Sequence, residues 1–513
     1  MSEQAAPPPL HGLELTMVAL ALALGTFMQV LDSTIANVSL QTIAGNLGES
    51  SDTATWVITA FAMANGVTVP LTGWFMRRFG VVTTFTTSVA LFTVASGLCG
   101  IAWSLPSLVI FRLLQGAVSG PMIPGSQALL MAVFPPEKRN LALSIWSMTA
   151  LIGPVMGPIL GGYISDHYHW GWIFLINVPI GFLTVGALIT KLRPYNTAPM
   201  KLPIDVVGLA LLITWVGTLQ VVLDLGNDRD WFNNQMIVAM AIISGIAFIA
   251  WIIWELTEEN PAVDLTLFKG RNFALGTICF TLGYACFFAN NLLMPLWLQT
   301  QQGYTATWAG LVAAPAGVVS VLISPINARL SSKIDIRWLA SFSLGAFGVS
   351  FLMRTGFTSD TDLWHYILPI LVQGLAMGVF FISMTTICID KLPPHRIPAA
   401  TGLTNFARIT GGGFAASATT TFWDHREILH QSRLAEAANL GNPAYNASVT
   451  QMQGMGIDKA HGLGVMTQEL IHQAYTLSSI DIFYISGIGS LVMMGLVWFT
   501  RRPAPATGPV AAD

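Results

Sequence analysis

Long apolar stretches recur along the chain, separated by short polar turns, and none of them alternates polar with apolar residues. They lie at about 15–40, 54–76, 82–103, 105–133, 140–164, 172–192, 205–225, 236–254, 273–298, 305–328, 338–354, 363–389, 398–422 and 479–500. Each is long enough to cross about 30 Å of hydrocarbon. A bilayer core holds no water to satisfy peptide groups, so non-alternating runs of this length predict helices and exclude a β-barrel. Only one long stretch, 423–478, is polar, with helix-forming blocks such as Glu427–Glu436. A connection of that length between compact elements is a functional candidate or a tolerated insertion. Short tails remain at 1–14 and 501–513.

Composition supports the same solvent. The 513 residues are 53% hydrophobic and only 10% charged, with a mean hydropathy of +0.62, where a soluble domain carries roughly 25% charged residues. The chain therefore reads as a polytopic, all-α membrane protein. Its net charge of −3 says little about partners, because charge is sorted by membrane side. The four cysteines (Cys99, Cys279, Cys286, Cys388) lie in apolar runs and suggest packing, not a disulfide framework. No Lys or Arg precedes the first apolar run, so a cleaved signal peptide is not expected and the first span is retained.

Positive charge tests the topology. Starting inside and crossing fourteen times leaves Arg77, Arg78, Lys138, Arg139, Lys191, Arg193, Lys201, Lys269, Arg271, Arg329, Lys333, Arg337, Lys391, Arg396, Arg501 and Arg502 on the inner side. Arg229, Arg354, Arg426, Arg433 and Lys459 fall outside, and Arg112 and Arg408 within the membrane, which accounts for all 23 basic residues. The bias follows the positive-inside rule and predicts both termini in the cytoplasm.

An internal repeat organises the spans. Gln115-Gly116 recurs as Gln373-Gly374 and Phe134-Pro135-Pro136 as Leu392-Pro393-Pro394, both 258 residues on; Thr53-Ala54-Thr55-Trp56 recurs as Thr305-Ala306-Thr307-Trp308 after 252. Three matches in register at equivalent helix ends predict two six-helix bundles in parallel orientation, at 15–192 and 273–500. The spans at 205–254 become an insert of two helices between them. Such parallel repeats are an architecture of secondary transporters, with the substrate site near the midplane between the halves.

Within the fifth run, Gly153-Pro154-Val155-Met156-Gly157-Pro158-Ile159-Leu160-Gly161-Gly162 sets four glycines and two prolines in ten residues. A membrane helix that keeps them needs a kinked surface, poor in side chains, against which another helix packs closely. Ionisable residues inside the membrane are costly and mark function by default. Asp32 lies eight residues before Leu40 and Arg112 eight after Ser104. At ~1.5 Å per residue both are roughly 12 Å from the outer surface, close enough in depth to pair. Burial and a nearby guanidinium pull a carboxyl group's proton affinity in opposite directions. From chemistry alone the pair is either a proton carrier or a permanent tie between helices. Arg408, near the midplane of the second half, faces either a hydrated cavity with an anionic or carbonyl-bearing substrate, or backbone carbonyls. Asp224 and Asp481 sit at outer span ends as secondary acidic candidates.

Four motifs carry a resemblance: Leu31–Val38 in the first span, Arg112-Leu113-Leu114-Gln115-Gly116 in the fourth, the Gly153–Gly162 stretch in the fifth, and Trp170–Pro179 at the start of the sixth. Together the chain resembles, over nearly its whole length, the major facilitator superfamily, in particular its fourteen-span drug:proton antiporters of the EmrB/QacA type. Within that group it looks like the inner-membrane pump of a tripartite exporter. One element departs from the pattern: after Gly73, Arg77 stands where the family usually has an acid, which puts any gating salt bridge built from that acid in doubt.

The resemblance implies a major facilitator fold of 14 transmembrane helices in the bacterial inner membrane and a proton-coupled multidrug efflux antiporter working by alternating access. Its expected coupling residues are Asp32 and Arg112, and its antiporter motif comprises Gly153, Pro154, Gly157, Pro158, Gly161 and Gly162. A cavity for amphipathic compounds is expected from Gln29, Asn37, Gln115, Trp146, Tyr284, Asn290, Asn291, Asn405 and Arg408. Expected substrates are small hydrophobic drugs, uncouplers or fatty acids. Expected partners are protons, a periplasmic membrane-fusion adaptor that the 423–478 segment would contact, and an outer-membrane channel; no nucleic acid, metal or cofactor is implied, the proton gradient supplying the energy. A superfamily transporter of another solute acting alone is the competing expectation. No Gly-Lys dipeptide exists to build a Walker A loop, which removes an ATP-driven pump. No His lies deep in any span, and no nucleophile–base set suggests an enzyme.

Overall fold

The computed structural model describes residue 10 and residues 12–135, 138–331, 333–358, 361–438, 442–455 and 458–502; most of both tails lies outside them. The described chain is helical almost throughout, as peptide groups in lipid require. The first half comprises α1 (Gly12–Val38), α2 (Leu40–Leu47), α3 (Ser51–Ala54), α4 (Trp56–Thr68), α5 (Thr72–Phe79), α6 (Val81–Gly100), α7 (Leu105–Ser119), α8 (Met122–Val133), α9 (Arg139–His167), α10 (Trp172–Leu175) and α11 (Asn177–Lys191). Then come α12 (Val206–Leu225) and α13 (Gln235–Thr257). The second half holds α14 (Arg271–Thr300), α15 (Ala306–Leu330), α16 (Ile336–Met353), α17 (Leu363–Cys388), α18 (Ile397–Ala437), α19 (Pro443–Gly454) and α20 (Lys459–Leu496).

Eleven helices among the described residues are long and apolar enough to cross a membrane, and α4 with α5, bent by 59°, makes a twelfth. Helices α9 and α18, of 29 and 41 residues, run among them. The second apolar run is thus a broken span, and the fourth is interrupted at Gly120-Pro121 between α7 and α8.

The repeat read from short motifs reappears as a repeat of packing. Helix α1 packs on α9 and α11, α4 on α7, and α6 on α7 and α11; in the second half α14 packs on α18 and α20, α15 on α17, and α16 on α17 and α20. Each pair has its counterpart. The halves meet where α9 lies on α15 and where α18 lies on α5 and α8. Helices α12 and α13 pack on each other, and α12 also reaches α4 and α18. Near the start of the described chain Glu14 bonds Lys191 at 2.8 Å, and near its end the Phe499 carbonyl accepts from Arg271.

The polar segment 423–478 takes a different form from a loop. Helix α18 continues unbroken to Ala437, and α20 begins at Lys459, so the last two long helices run on as a hairpin capped by α19. At ~1.5 Å per residue, the fifteen residues of α18 from Trp423 add about 22 Å. Arg426 and His430 on α18 clamp Asp481 on α20, at 2.6 and 2.8 Å. Asp481 is therefore placed in an ion-pair clamp at the base of this hairpin, apart from the other acidic candidates.

Candidate functional site

The first-half site is assembled on α7. Its start is fixed locally: Ser104 accepts from the Ser107 amide and Ser107 returns a bond to the Ser104 amide, with Pro106 in the first turn, a reciprocal cap that pins the helix. Arg112, the eighth residue, then points into the bundle, 1% exposed, and Asp32 on α1 is wholly buried. Arg112 Nη1 lies 2.5 Å from Asp32 Oδ2. The same nitrogen donates to Gln115 Oε1 at 2.8 Å, and Arg112 Nε donates to the Val57 carbonyl of α4 at 3.1 Å. The guanidinium stands over the rings of Phe61 and Phe174, at 4.2 and 5.4 Å, both favourable cation–π distances. Asp32 Oδ1 accepts from Gln115 Nε2 at 2.9 Å and from Asn177 Nδ2 at 3.3 Å; Asn177 also donates to Ser96.

The expected depth match therefore becomes a contact. Both carboxylate oxygens are hydrogen-bonded by groups from α7 and α11, which a buried charge requires. Gln115, expected in the substrate cavity, belongs to this cluster instead: at i and i+3 on α7, it and Arg112 share one face. Asn177, which sequence reasoning did not single out, completes the set. Its signal was a lone amide in the apolar run Phe174-Leu175-Ile176-Asn177-Val178.

The glycine stretch packs α9 onto α1, the helix that carries Asp32. A Cβ on Gly153 would stand 2.5 Å from Val30 Cγ1, and one on Gly157 would collide with Thr34 Oγ1. Thr34 donates to the Gly153 carbonyl at 3.3 Å and Ser39 to that of Gly161 at 3.5 Å. Gly162 faces open space. The side chains of Pro154 and Pro158 lie outside the described residues. The other side of α9 meets α15, so one helix joins the Asp32 helix to the opposite half.

Between the halves lies a second group of polar side chains. Gln127 of α8 donates to Thr385 of α17 at 3.3 Å and accepts from Asn405 of α18 at 3.2 Å. Gln127 and Thr385 are separated by the repeat offset of 258 residues, so two equivalent positions touch. Under a rotation relating parallel halves, that happens only near the rotation axis. Asn405 also accepts from Arg408 Nη2 at 3.1 Å. Arg408 is buried, stands over Tyr284 at 4.6 Å and Phe381 at 5.7 Å, and its Nε has no partner. No carboxylate pairs with it among the described residues. Trp146 of α9 reaches across to Phe381, its buried indole N–H unbonded. Four of the expected cavity residues, Trp146, Tyr284, Asn405 and Arg408, are thus brought together at the junction of the halves.

The others are not. Asn37 is exposed at the end of α1, five residues and about 140° of helical rotation from Asp32. Gln29 is buried with its Oε1 unbonded, Asn290 donates back to the Cys286 carbonyl of its own helix, and Asn291 is half-buried on α14. Asp224 lies in the last turn of α12. Arg354, counted on the outer side, is not solvated there: it is 1% exposed at the end of α16 and donates to Gln373.

The chain matches the Major Facilitator Superfamily over residues 22–416, and it belongs to that superfamily. It is 46% identical over 501 residues, 98% of each chain, to the multidrug export protein EmrB of Escherichia coli strain K12. It is 44% identical to the fatty acid resistance protein FarB of Neisseria gonorrhoeae, over 98% of this chain and 99% of that one. The fold is similar to that of the proton:xylose symporter XylE, with a TM-score of 0.59 at 14% identity over 94% and 95% of the two chains. It is also similar to the human organic anion transporter MFSD10, with a TM-score of 0.57 at 13% identity over 95% and 100%. The family resemblance read from the motifs is correct, and the chain is a multi-pass membrane transporter.

Proposed function

We propose that this protein is a proton-coupled multidrug efflux antiporter of the bacterial inner membrane, working by alternating access. The observation that carries the reading is the buried Asp32–Arg112 pair with its Gln115 and Asn177 donors. An intramembrane acid is expensive, and it is retained where it carries protons or substrate. In this scheme a proton from outside neutralises Asp32, Arg112 keeps its bonds to Gln115 and Val57, and α1 is freed to move with α9. Release inward restores the pair. The gradient is the energy source, and no cofactor is invoked.

The substrate would sit near the axis, where Arg408, Tyr284, Phe381 and Trp146 offer a cation and aromatic faces to small hydrophobic drugs, uncouplers or fatty acids. The names of the relatives EmrB and FarB point to the same range of compounds. In this reading α9 and α18 join the other twelve spans, giving 14 transmembrane helices: two six-helix bundles at 15–192 and 273–500 plus the pair at 205–254. Both termini are cytoplasmic, and the helical hairpin built on α18 and α20 is periplasmic. It would offer a membrane-fusion adaptor its docking surface, with an outer-membrane channel beyond.

Asp32→Asn tests the coupling. The change keeps size and hydrogen-bonding capacity, so the protein should stay in the membrane at normal abundance. In everted vesicles, efflux driven by a pH gradient should be lost. Undiminished gradient-driven efflux in this variant removes Asp32 from the mechanism.

A further inference from the structure

The inserted pair is more than a spacer between the halves. Along α12, Val216 meets Gly66 and Gly217 meets Met63, both on α4 of the first half; a Cβ on Gly66 would stand 3.0 Å from Val216 Cγ1. Helix α12 also reaches the second half: at its middle Trp215 stands edge-on to Phe406, and in its last turn the Leu223 carbonyl accepts from Ser417 at 2.9 Å. Just beyond, Asn227 donates to Asp424 at 3.0 Å and Trp231 to Thr421 at 2.9 Å. Helix α12 therefore fills the seam between α4 and α18.

One carboxylate in that seam, among the described residues, has a buried oxygen without a partner. Asp224 Oδ1 accepts from Gln220 Nε2 at 2.8 Å, its Oδ2 is buried without a hydrogen-bond partner, and the Thr59 hydroxyl of α4 faces it. Among the described residues no cation pairs with it. An ionised carboxylate held by neutral donors alone is costly in such a place, and a proton removes the cost. The surrounding charges are few. Helix α4 carries no titratable side chain. On α13 the only one is Glu255, at the far end and bonded to Trp251 and the Val263 amide. On α18 Asp424 is taken by Asn227, and Arg229 and Asp230 of the following loop are exposed. Among the buried cations, Arg408 lies on α18 about two and a half turns before Ser417, and Arg112, on α7, holds the Val57 carbonyl two residues from Thr59.

We infer that Asp224 is a second proton-binding site, set in the α4–α12–α18 seam and linked to the Asp32–Arg112 pair through the first turn of α4. Its role in transport rests on the proton-coupled reading above, but proton binding itself does not. The test is infrared difference spectroscopy of the full-length protein in lipid vesicles, following the carboxyl carbonyl stretch across a pH titration. One titrating carboxyl band should be lost in Asp224→Asn and survive in Asp32→Asn. Asp224→Glu should keep a titrating band, which guards against loss through misfolding. In Asp32→Asn the midpoint of the surviving band should move along the pH axis, because α4 is shared. If every titrating band persists in Asp224→Asn, the site is refuted; if the midpoint is unmoved in Asp32→Asn, the linkage is. A titrating Asp224 band in a protein whose efflux ignores the pH gradient would uphold this site while overturning the proton-driven reading.

Discussion

Alanine placed at each glycine of the Gly153–Gly162 stretch in turn should give a graded series, and the packing of α9 on α1 sets its order. Gly153, Gly157 and Gly161 recur every four residues on the face turned to α1. A Cβ on Gly157 would overlap Thr34 Oγ1 and stand 2.7 Å from Thr34 Cβ and 3.2 Å from the Ile35 amide nitrogen. On Gly153 the distances are 2.5 Å to Val30 Cγ1 and 3.3 Å to the Leu31 nitrogen; on Gly161 they are 3.0 Å to both Ile35 Cγ1 and its carbonyl; around Gly162 nothing lies within 4 Å. Relieving the overlap at Gly157 requires α9 to retreat from α1, and overpacking of this kind costs about 1–3 kcal/mol. Alanine returns up to about 1 kcal/mol of helix propensity over glycine. Gly162→Ala should therefore be neutral or stabilising, Gly161→Ala close to neutral, and Gly153→Ala and Gly157→Ala destabilising by about 1–2 kcal/mol net.

Thermal unfolding of the purified variants in one detergent reads this order. Proton leak into vesicles reads its consequence, because Thr34 is two residues from Asp32 and shares the displaced surface. Leak should rise in Gly157→Ala and stay at the wild-type level in Gly162→Ala. If Gly162→Ala is as damaging as Gly157→Ala, or if Gly157→Ala unfolds and leaks like the wild type, close approach of α1 is not what the glycines provide.

Two further outcomes follow from the contacts. Cysteines at 127 and 385, in a background without the native four, should join under a short bifunctional reagent and stop efflux until the link is cut; unimpaired efflux in the linked protein would mean that the halves do not separate at this point. Arg112→Gln and Arg354→Gln should differ sharply in thermal stability. The first strands a buried carboxylate, for which losses of about 3–5 kcal/mol are usual, whereas the second removes a guanidinium that pairs with no carboxylate among the described residues and should cost far less. Equal losses would mean that Arg354 has a charged partner after all.

Why some of this is readable in the chain and some is not has physical causes. Asp32 and Arg112 stand out because a charge deep in an apolar run has few places to go, and helix rise converts position into depth. The four-residue spacing of Gly153, Gly157 and Gly161 places them on one helical face by periodicity alone. Arg354 escapes because counting basic residues by side treats every cation at a helix end as solvated; whether that end turns toward water or inward is decided by tertiary packing. Asn37 fails for the converse reason, since an amide near a helix end reads the same whether it faces a cavity or leaves it. The hairpin is hidden because hydropathy marks where lipid ends and is silent on where a helix ends. Polar residues past Trp423 close the apolar run, yet α18 continues for four more turns.

The repeat offset shows how unequal the two halves have become. Advancing Asp32 by the 252 residues that relate Thr53–Trp56 to Thr305–Trp308 carries it to Tyr284, and advancing by 258 carries Gln115 to Gln373 and Arg112 to Ile370. One amide persists, but the acid has become a tyrosine and the place of Arg112 is held by an isoleucine, while a buried cation, Arg354, stands at the end of α16. The second half keeps the amide of a charge site without its carboxylate: Arg354 donates to Gln373. Symmetry of packing therefore does not extend to symmetry of buried charge, and a buried carboxylate–guanidinium pair of the Asp32–Arg112 kind exists in the first half alone among the described residues. The glycine pattern follows suit. Helix α9 presses Gly153 and Gly157 against α1, which carries Asp32 of the Asp32–Arg112 ion pair, whereas Gly411, Gly412 and Gly413 of α18 face Thr281 and Tyr284 of α14 and Leu223 of α12. The closest packing of α9 is therefore against the helix that holds the buried ion pair, whereas the equivalent helix α18 packs on both α14 and α12.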